Sequence, residues 1–323
     1  MSLRGYRVLI QRHNALLILI GLYLVLALLS PLFFRPQNLI NILMQSSITA
    51  IVALGLSLPI LTGGIDLSVS STAALAGAVS AGLIVRSGWS VFPAIGLALL
   101  IGIGIGALVG LLVVLGKFPP FVASLSLMAV GRGLTLVYTE GKPISGLPTS
   151  YIALGSESLG PIPNLVIFLL ILAFATHVLL SRTRYGHHIY AIGGSADVAR
   201  LAGIPVGKTT VSVYILSGFT AAFAGVLLTA RLWSAQPTAG TGLELEAIAA
   251  VVIGGNSLMG GYGNAAGPVI GALIMGGIGN GLNLLRIPSY IQQVVRGLVL
   301  IVAVMADFRS HKEALPQFKG NLA

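Results

Sequence analysis

The sequence predicts an all-α polytopic membrane protein with about ten transmembrane helices. Of its 323 residues, 56% are hydrophobic and only 8% are charged, whereas a soluble domain carries about 25% charged residues. The apolar residues run in segments of about 20, rich in Leu, Ile, Val, Ala and Gly, which is typical of membrane-spanning helices and not of alternating strands. The sequence contains no cysteine, which excludes disulfides, thiolate metal sites and cysteine nucleophiles.

Ten apolar segments follow one another along the chain. They are Asn14–Phe34, Leu39–Thr62, Leu67–Val85, Val91–Leu115, Pro119–Thr139, Pro161–Ser181, Thr209–Arg231, Leu243–Leu258, Asn264–Leu285 and Tyr290–Asp307. The eighth has about 16 residues, so it is either a short span or a re-entrant segment.

Basic residues predict the orientation of these spans. The net charge is +10, and all the basic residues except Arg132 and Arg296 lie at span ends. This distribution is typical of membrane topology and not of a nucleic-acid-binding surface. With ten spans and the N-terminus inside, the cytoplasmic ends carry Arg4, Arg7, Arg12, Lys117, Arg182, Arg184, Arg200, Lys208, Arg309, Lys312 and Lys319. The outer ends carry only Arg35, Arg86, Lys142, Arg231 and Arg286. Both termini are therefore expected in the cytoplasm.

This topology divides the chain at one basic cytoplasmic loop. Residues 1–13 form an N-terminal tail, 14–181 a first membrane half with spans 1–6, and 182–208 the loop. Residues 209–307 form a second membrane half with spans 7–10, and 308–323 form a C-terminal tail. The long outer loop, residues 140–160, is a lid, a partner site or a connector.

Within the basic loop, Ser195 to Gly203 is predicted to form one short helix. Ser195 is a suitable N-cap, and Asp197 and Arg200 each lie near the helix end that favours their charge. Gly203 suits the position after the last turn, and Pro205 prevents continuation.

A short sequence pattern that occurs twice suggests two inverted five-helix halves. Gly64-Ile-Asp66-Leu-Ser is matched by Gly242-Leu-Glu244-Leu-Glu246, and each copy leads into a span rich in small residues. The copies lie five spans apart, and therefore on opposite sides of the membrane, as in inverted-repeat transporters. Asp66, Glu244 and Glu246 also fit a structural role as helix-start acids stabilised by the helix dipole.

Polar residues within spans are costly unless they have partners, so they are candidates for a solute pathway. Five amides share helix faces and are candidate pathway-lining residues: Asn41, Gln45, Asn280, Asn283 and Gln292. For any single one of them, interhelical hydrogen bonding is the favoured explanation. Arg132 and Arg296, which lie deep in spans, either pair with Asp66, Glu244 or Glu246 or extend toward the membrane surface.

Two glycine-containing motifs and the histidines do not indicate a nucleotide, catalytic or metal site. Gly203 to Thr209 ends in Gly-Lys-Thr but has three residues between its glycines, whereas a P-loop needs four. Gly102, Gly106 and Gly110 are spaced by four, which predicts a flat helix face for close packing. No metal site is predicted, because the five histidines lack ligand spacing. No catalytic site is predicted, because the sequence contains no nucleophile elbow, no HExxH motif and no paired intramembrane carboxylates at helical spacing.

Five stretches resemble the membrane permease subunit of bacterial ABC monosaccharide importers. They are Leu61–Val69 (LTGGIDLSV), Arg182–Gly194 (RTRYGHHIYAIGG), Ser234–Leu245 (SAQPTAGTGLEL), Ala247–Gly255 (AIAAVVIGG) and Gly281–Leu285 (GLNLL). One departure is Ser70-Ser71, where the family pattern has Gly-Ser.

The resemblance implies a type II-importer-like fold in the bacterial inner membrane. It implies a pathway for ribose or a related sugar, a second permease copy, and a periplasmic or lipid-anchored sugar-binding protein. It implies no cofactor in this chain, with ATP and Mg²⁺ bound by a separate ATPase subunit. The basic loop then contains the coupling helix that rests on the ATPase, and the residues implied in coupling are Arg184, Tyr185, Gly186, Ser195, Asp197, Arg200, Leu201 and Gly203.

Two alternatives stay open. One is a permease of the same architecture for a nucleoside, a branched-chain amino acid or a furanosyl signal. The other is an ion-coupled secondary transporter, which the lack of aligned intramembrane acids disfavours.

Overall fold

The structure, a computed structural model, describes the backbone of residues 3–314 and the side chains of residues 15–308. Of the predicted tails, residues 1–2 and 315–323 lie outside the described range. The first helices are α1 (Leu3–Leu29), α2 (Pro36–Leu61), α3 (Val69–Val85), α4 (Val91–Val114), α5 (Pro120–Thr139), α6 (Thr149–Ser156) and α7 (Asn164–Arg182). They are followed by α8 (Arg184–Gly194), α9 (Ala196–Leu201), α10 (Val206–Leu232), α11 (Leu243–Ile253), α12 (Ala266–Leu284) and α13 (Ser289–Ala314). Four short strands are β1 (Ile144–Ser145), β2 (Ser158–Leu159), β3 (Ile162–Pro163) and β4 (Ser234–Ala235).

In the described range, 7 helices are long and apolar enough to cross a membrane. They are α2, α4, α5, α7, α10, α12 and the Ser289–Phe308 part of α13. Shorter apolar helices occupy Ala15–Leu29, within α1, and Val69–Val85, which is α3. The predicted eighth span is the 11-residue helix α11. It is about 16 Å long, roughly half the hydrocarbon thickness, so α11 alone does not cross.

Helices α2 and α10 form the centre of the bundle. They pack on each other, and the hydroxyl of Thr220 on α10 fills the space beside Gly55 on α2. Each also packs against helices distant in sequence: α2 contacts α11 and α12, whereas α10 contacts α3 and α4. The helices that follow α2 in the chain therefore pack against α10, and the helices that follow α10 pack against α2.

The predicted glycine packing face on α4 is confirmed. Gly102, Gly106 and Gly110 are all buried. A Cβ atom at any of them would meet the backbone of α10, and at Gly110 it would lie 2.8 Å from the Cα of Val211. Gly104, on the opposite face of the same helix, has nothing within 4 Å.

The long outer loop is structured and anchored to the bundle. Strand β1 pairs antiparallel with β4, with Ile144 opposite Ala235. Tyr151 on α6 is fully buried, and its hydroxyl lies 2.7 Å from that of Ser80 on α3. We refer to this end of the bundle as the α6 end and to the opposite one as the α8–α9 end.

Candidate functional site

Helix α8 (Arg184–Gly194) is not among the elements predicted from the sequence, which places these residues in a basic loop. Its N-cap is Thr183, whose hydroxyl accepts a hydrogen bond from the Gly186 amide at 3.1 Å. Gly186, Ile189 and Ile192 are buried on one face. Their spacing of three is a helical signal that could have identified α8. At its end, Gly193 touches the Leu61 carbonyl and the Gly261 amide, where a side chain would not fit.

The predicted short helix is confirmed as α9. Ser195 caps it by accepting from the Val198 amide at 3.3 Å, and Gly203 follows in the left-handed conformation at φ +80°. Asp197 and Arg200 form an exposed ion pair at 3.4 Å, which contributes little to stability. Val198 is 64% exposed and Leu201 is 90% exposed, so these two apolar side chains point away from the rest of the chain, whereas Ala199 is buried.

Hydrogen bonds connect α8 to the membrane helices. The Tyr185 hydroxyl lies 2.6 Å from that of Ser212 on α10, and Tyr190 donates to the Gly263 carbonyl at 2.9 Å. Burial raises the pKa of the Tyr185 phenol. A displacement of α8 would therefore act directly on α10 and on the turn between α11 and α12.

Asp66 lies in the turn between α2 and α3 and is fully buried. One carboxylate oxygen accepts from the Ser68 amide at 3.0 Å and the Ser68 hydroxyl at 2.6 Å. The other accepts from the Ser217 hydroxyl of α10 at 2.7 Å. These bonds fasten the start of α3 to the middle of α10. Neither Arg132 nor Arg296 pairs with Asp66.

The acids at the start of α11 lie between two arginines. Arg296 on α13 pairs with Glu246 at 3.3 Å, as one of the open alternatives predicted. Arg132 on α5 instead donates to the carbonyls of Pro237 at 3.1 Å and Ala239 at 3.0 Å. The irregular backbone before α11 thereby gains partners that water would otherwise supply.

Three of the five candidate pathway amides have side-chain partners within the chain. Asn280 exchanges two hydrogen bonds with Asn38, at 3.0 and 2.8 Å, and Gln292 donates to Asn283 at 2.8 Å. These contacts join α2 to α12 and α12 to α13.

The other two candidates are placed differently. Asn41 is exposed and Gln45 is partly buried, and no hydrogen bond to either side chain is found among the described residues. A Cβ at Gly279 would lie 3.9 Å from the Gln45 amide nitrogen and 3.6 Å from an Arg296 nitrogen. Gln45, Glu246 and Arg296 therefore lie near one another beside Gly279, as a partly buried polar cluster.

No group of three or more His, Cys, Asp or Glu side chains that would hold a metal ion occurs in the described part of the chain.

Comparison with known proteins gives the family. Residues 38–304 match the model of the branched-chain amino acid transport system / permease component family. The chain is 45% identical over 302 residues to the ribose import permease protein of Escherichia coli K12, covering 92% of this chain and 94% of that protein. It is 46% identical over 305 residues to the ribose import permease protein of Bacillus subtilis, covering 92% of each. The D-allose transport system permease protein of E. coli is 39% identical over 298 residues, covering 92% of this chain and 91% of that protein.

Among solved structures, none matches the chain. The family match covers far more than half of the sequence, and the similarity to curated permeases extends over nearly the full length of both chains. The described residues include seven helices long enough to cross a membrane, and the chain is a multi-pass inner-membrane protein. It belongs to the branched-chain amino acid transport system / permease component family and is a transport subunit, not an enzyme.

Proposed function

We propose that this chain forms the membrane pathway of an ATP-driven importer for a monosaccharide, with ribose as the first candidate. The observation that carries the proposal is the 45% identity to a ribose import permease over more than nine tenths of both chains. Relatives named for D-allose and xylose transport are also sugar permeases, at 39% and 33% identity. The family description names branched-chain amino acids, so that substrate class is the alternative.

The proposed assembly contains two copies of this chain, an ATPase subunit that binds ATP and Mg²⁺, and a soluble or lipid-anchored sugar-binding protein. Both termini and the loop of residues 182–208 lie in the cytoplasm. Exposure of Val198 and Leu201 supports α9 as the element that rests on the ATPase, because an exposed apolar pair beside charged residues suits a protein interface. Tyr185 and Gly186 hold α8 in place behind it, and Arg184 is the first residue of that helix.

We propose ten transmembrane segments in two inverted halves, with α3 and α11 as short broken spans. The exchanged packing supports this arrangement, because α2 contacts α11 and α12 just as α10 contacts α3 and α4. In this arrangement, residues 14–181 and 209–307 lie on either side of the proposed coupling loop, residues 182–208. Asn41, Gln45 and the Glu246–Arg296 pair are the polar groups proposed to meet the sugar.

Reconstitution tests the proposed function. Proteoliposomes that contain this permease, its ATPase and a ribose-binding protein are expected to take up labelled ribose only when ATP is supplied. Vesicles with the permease alone, under a proton or sodium gradient, serve as the control for secondary transport. Ribose uptake in those vesicles, or ATP-driven uptake of leucine but not ribose by the full complex, would contradict the proposal.

Leu201→Glu is expected to uncouple ATP hydrolysis from transport. A charge placed in an apolar contact costs about 2 kcal/mol or more, which weakens docking of the ATPase roughly 30-fold, and we expect uptake to fall with it. Leu159→Glu is the matched control, because Leu159 is also exposed, at 74%, but lies at the α6 end. Uptake and sugar-stimulated ATPase activity are measured for both variants. Equal uptake by the two would refute the assignment of α9.

A further inference from the structure

An open groove of about 470 Å³ lies between α4 and α10 at the α8–α9 end. Its walls are apolar and consist mainly of Leu111, Val114, Leu115, Val211 and Ile215. The groove contains no acidic residue. It lies on two helices long enough to span the membrane, so hydrocarbon from the surrounding bilayer can reach it.

Gly207 keeps the groove open at its end. A Cβ atom at this position would lie 3.1 Å from a methyl group of Val114, so a larger side chain would occupy the space. Ser212 also lines the groove, but its hydroxyl donates to the Thr209 carbonyl at 2.8 Å and lies 2.6 Å from the Tyr185 hydroxyl. The polar atom in the wall is therefore already satisfied, and the interior suits an alkyl chain.

Positive charge lies at the mouth of the groove. Lys208 is part of the lining and is exposed. Lys117 is exposed as well, two residues after Leu115, and a left-handed backbone conformation at φ 55° turns the chain there. No hydrogen bond or ion pair to either ammonium group is found in the described part of the chain. An apolar groove lined at one end by Lys208, with Lys117 two residues beyond the lining residue Leu115, is complementary to an acyl chain attached to an anionic headgroup.

We propose that this groove binds an anionic phospholipid, with one acyl chain between α4 and α10 and the phosphate headgroup at Lys208 and Lys117. The bound chain would lie against Ser212, which carries the contact to Tyr185 of α8. Lipid binding would thus stabilise the position of α8 and α9 against α10. The inference requires only that the chain lies in a membrane and is independent of the transported solute.

Lipid retention by the purified full-length permease tests this site. Native mass spectrometry would compare retained phosphatidylglycerol with phosphatidylcholine of the same acyl chains. We expect preferential retention of phosphatidylglycerol, weakened roughly 10- to 30-fold in the double variant Lys117→Gln/Lys208→Gln. Lys142→Gln, which removes an exposed lysine at the α6 end, is the matched control and should retain lipid like the unmodified protein.

A second variant tests the acyl-chain half of the site. Gly207→Leu fills the groove with both lysines in place, so it should also lose phosphatidylglycerol. Should that variant misfold by circular dichroism, the double lysine variant decides alone. Equal retention of phosphatidylcholine, or unchanged retention in the double variant, would overturn the proposal. Thermal stabilisation by glycerol 3-phosphate as large as that by phosphatidylglycerol would also overturn it, because a free phosphate would then suffice.

Discussion

Gly106→Leu is expected to separate α4 from α10 and to cost about 3 kcal/mol of stability or more. A Cβ atom at this position would overlap the Tyr214 carbonyl oxygen and would lie 3.0 Å from the Cα of Ile215. Both are backbone atoms of a central helix, so neither can rotate away as a side chain would. The two helices must move apart, and the close packing that replaces the hydrophobic effect inside a membrane is lost.

Gly104→Leu is the matched control on the same helix. Gly104 has nothing within 4 Å, and replacing a helical glycine removes its conformational cost of about 1 kcal/mol. The melting temperatures of the two variants in detergent would be compared. The folded fraction after each heating step would be measured by size-exclusion chromatography with fluorescence detection. A similar melting temperature for both variants would show that α4 does not contact α10 through this face.

Asp66→Ala is expected to destabilise the bundle by roughly 3 kcal/mol. The substitution removes the acceptor for the Ser68 amide, the Ser68 hydroxyl and the Ser217 hydroxyl, all of which are buried. An unsatisfied buried donor costs about 1–3 kcal/mol. Loss of the carboxylate also removes its own desolvation cost, so the total is smaller than the sum for three donors.

Two further variants locate the effect. Ser217→Ala removes only the bond to α10 and is expected to cost about 1 kcal/mol. Glu157→Ala removes an exposed acid at the α6 end and should be close to neutral. Thermal unfolding of the three purified variants gives the ranking. If Asp66→Ala were as stable as Glu157→Ala, the buried network would have no role in holding α3 on α10.

Both predictions concern one turn of α10. The Tyr214 carbonyl meets Gly106 of α4, the Tyr214 hydroxyl lies beside Gly64 of the α2–α3 turn, and Ser217 binds Asp66. This turn is therefore held from two sides. Because only residues 202–205 separate α9 from α10, we expect any movement of α9 to reach the bundle centre through α10.

Much of the local structure followed from short-range patterns. The apolar segments predicted the membrane helices, because about 20 consecutive apolar residues have few other stable environments. Ser195, Asp197, Arg200 and Gly203 predicted α9, because capping and dipole interactions act within one turn. The spacing of four in Gly102, Gly106 and Gly110 predicted a packing face.

Pairings between distant residues could not be obtained in this way. Asn280 reaches Asn38 across 242 positions, and Ser217 reaches Asp66 across 151. The sequence showed that such polar groups needed partners, but only the packing of α2, α10 and α12 decided which ones.

Sequence alone thus determined that the chain is a helical membrane protein with a short capped helix in a basic loop, because those signals depend on neighbouring residues. Tertiary structure decided that α11 by itself covers only about half of the hydrocarbon thickness, that Arg132 binds backbone carbonyls while Arg296 binds Glu246, and that α8 lies on the end of α2. The physical reason is that a polar group inside a membrane must be satisfied, and its partner is set by three-dimensional packing.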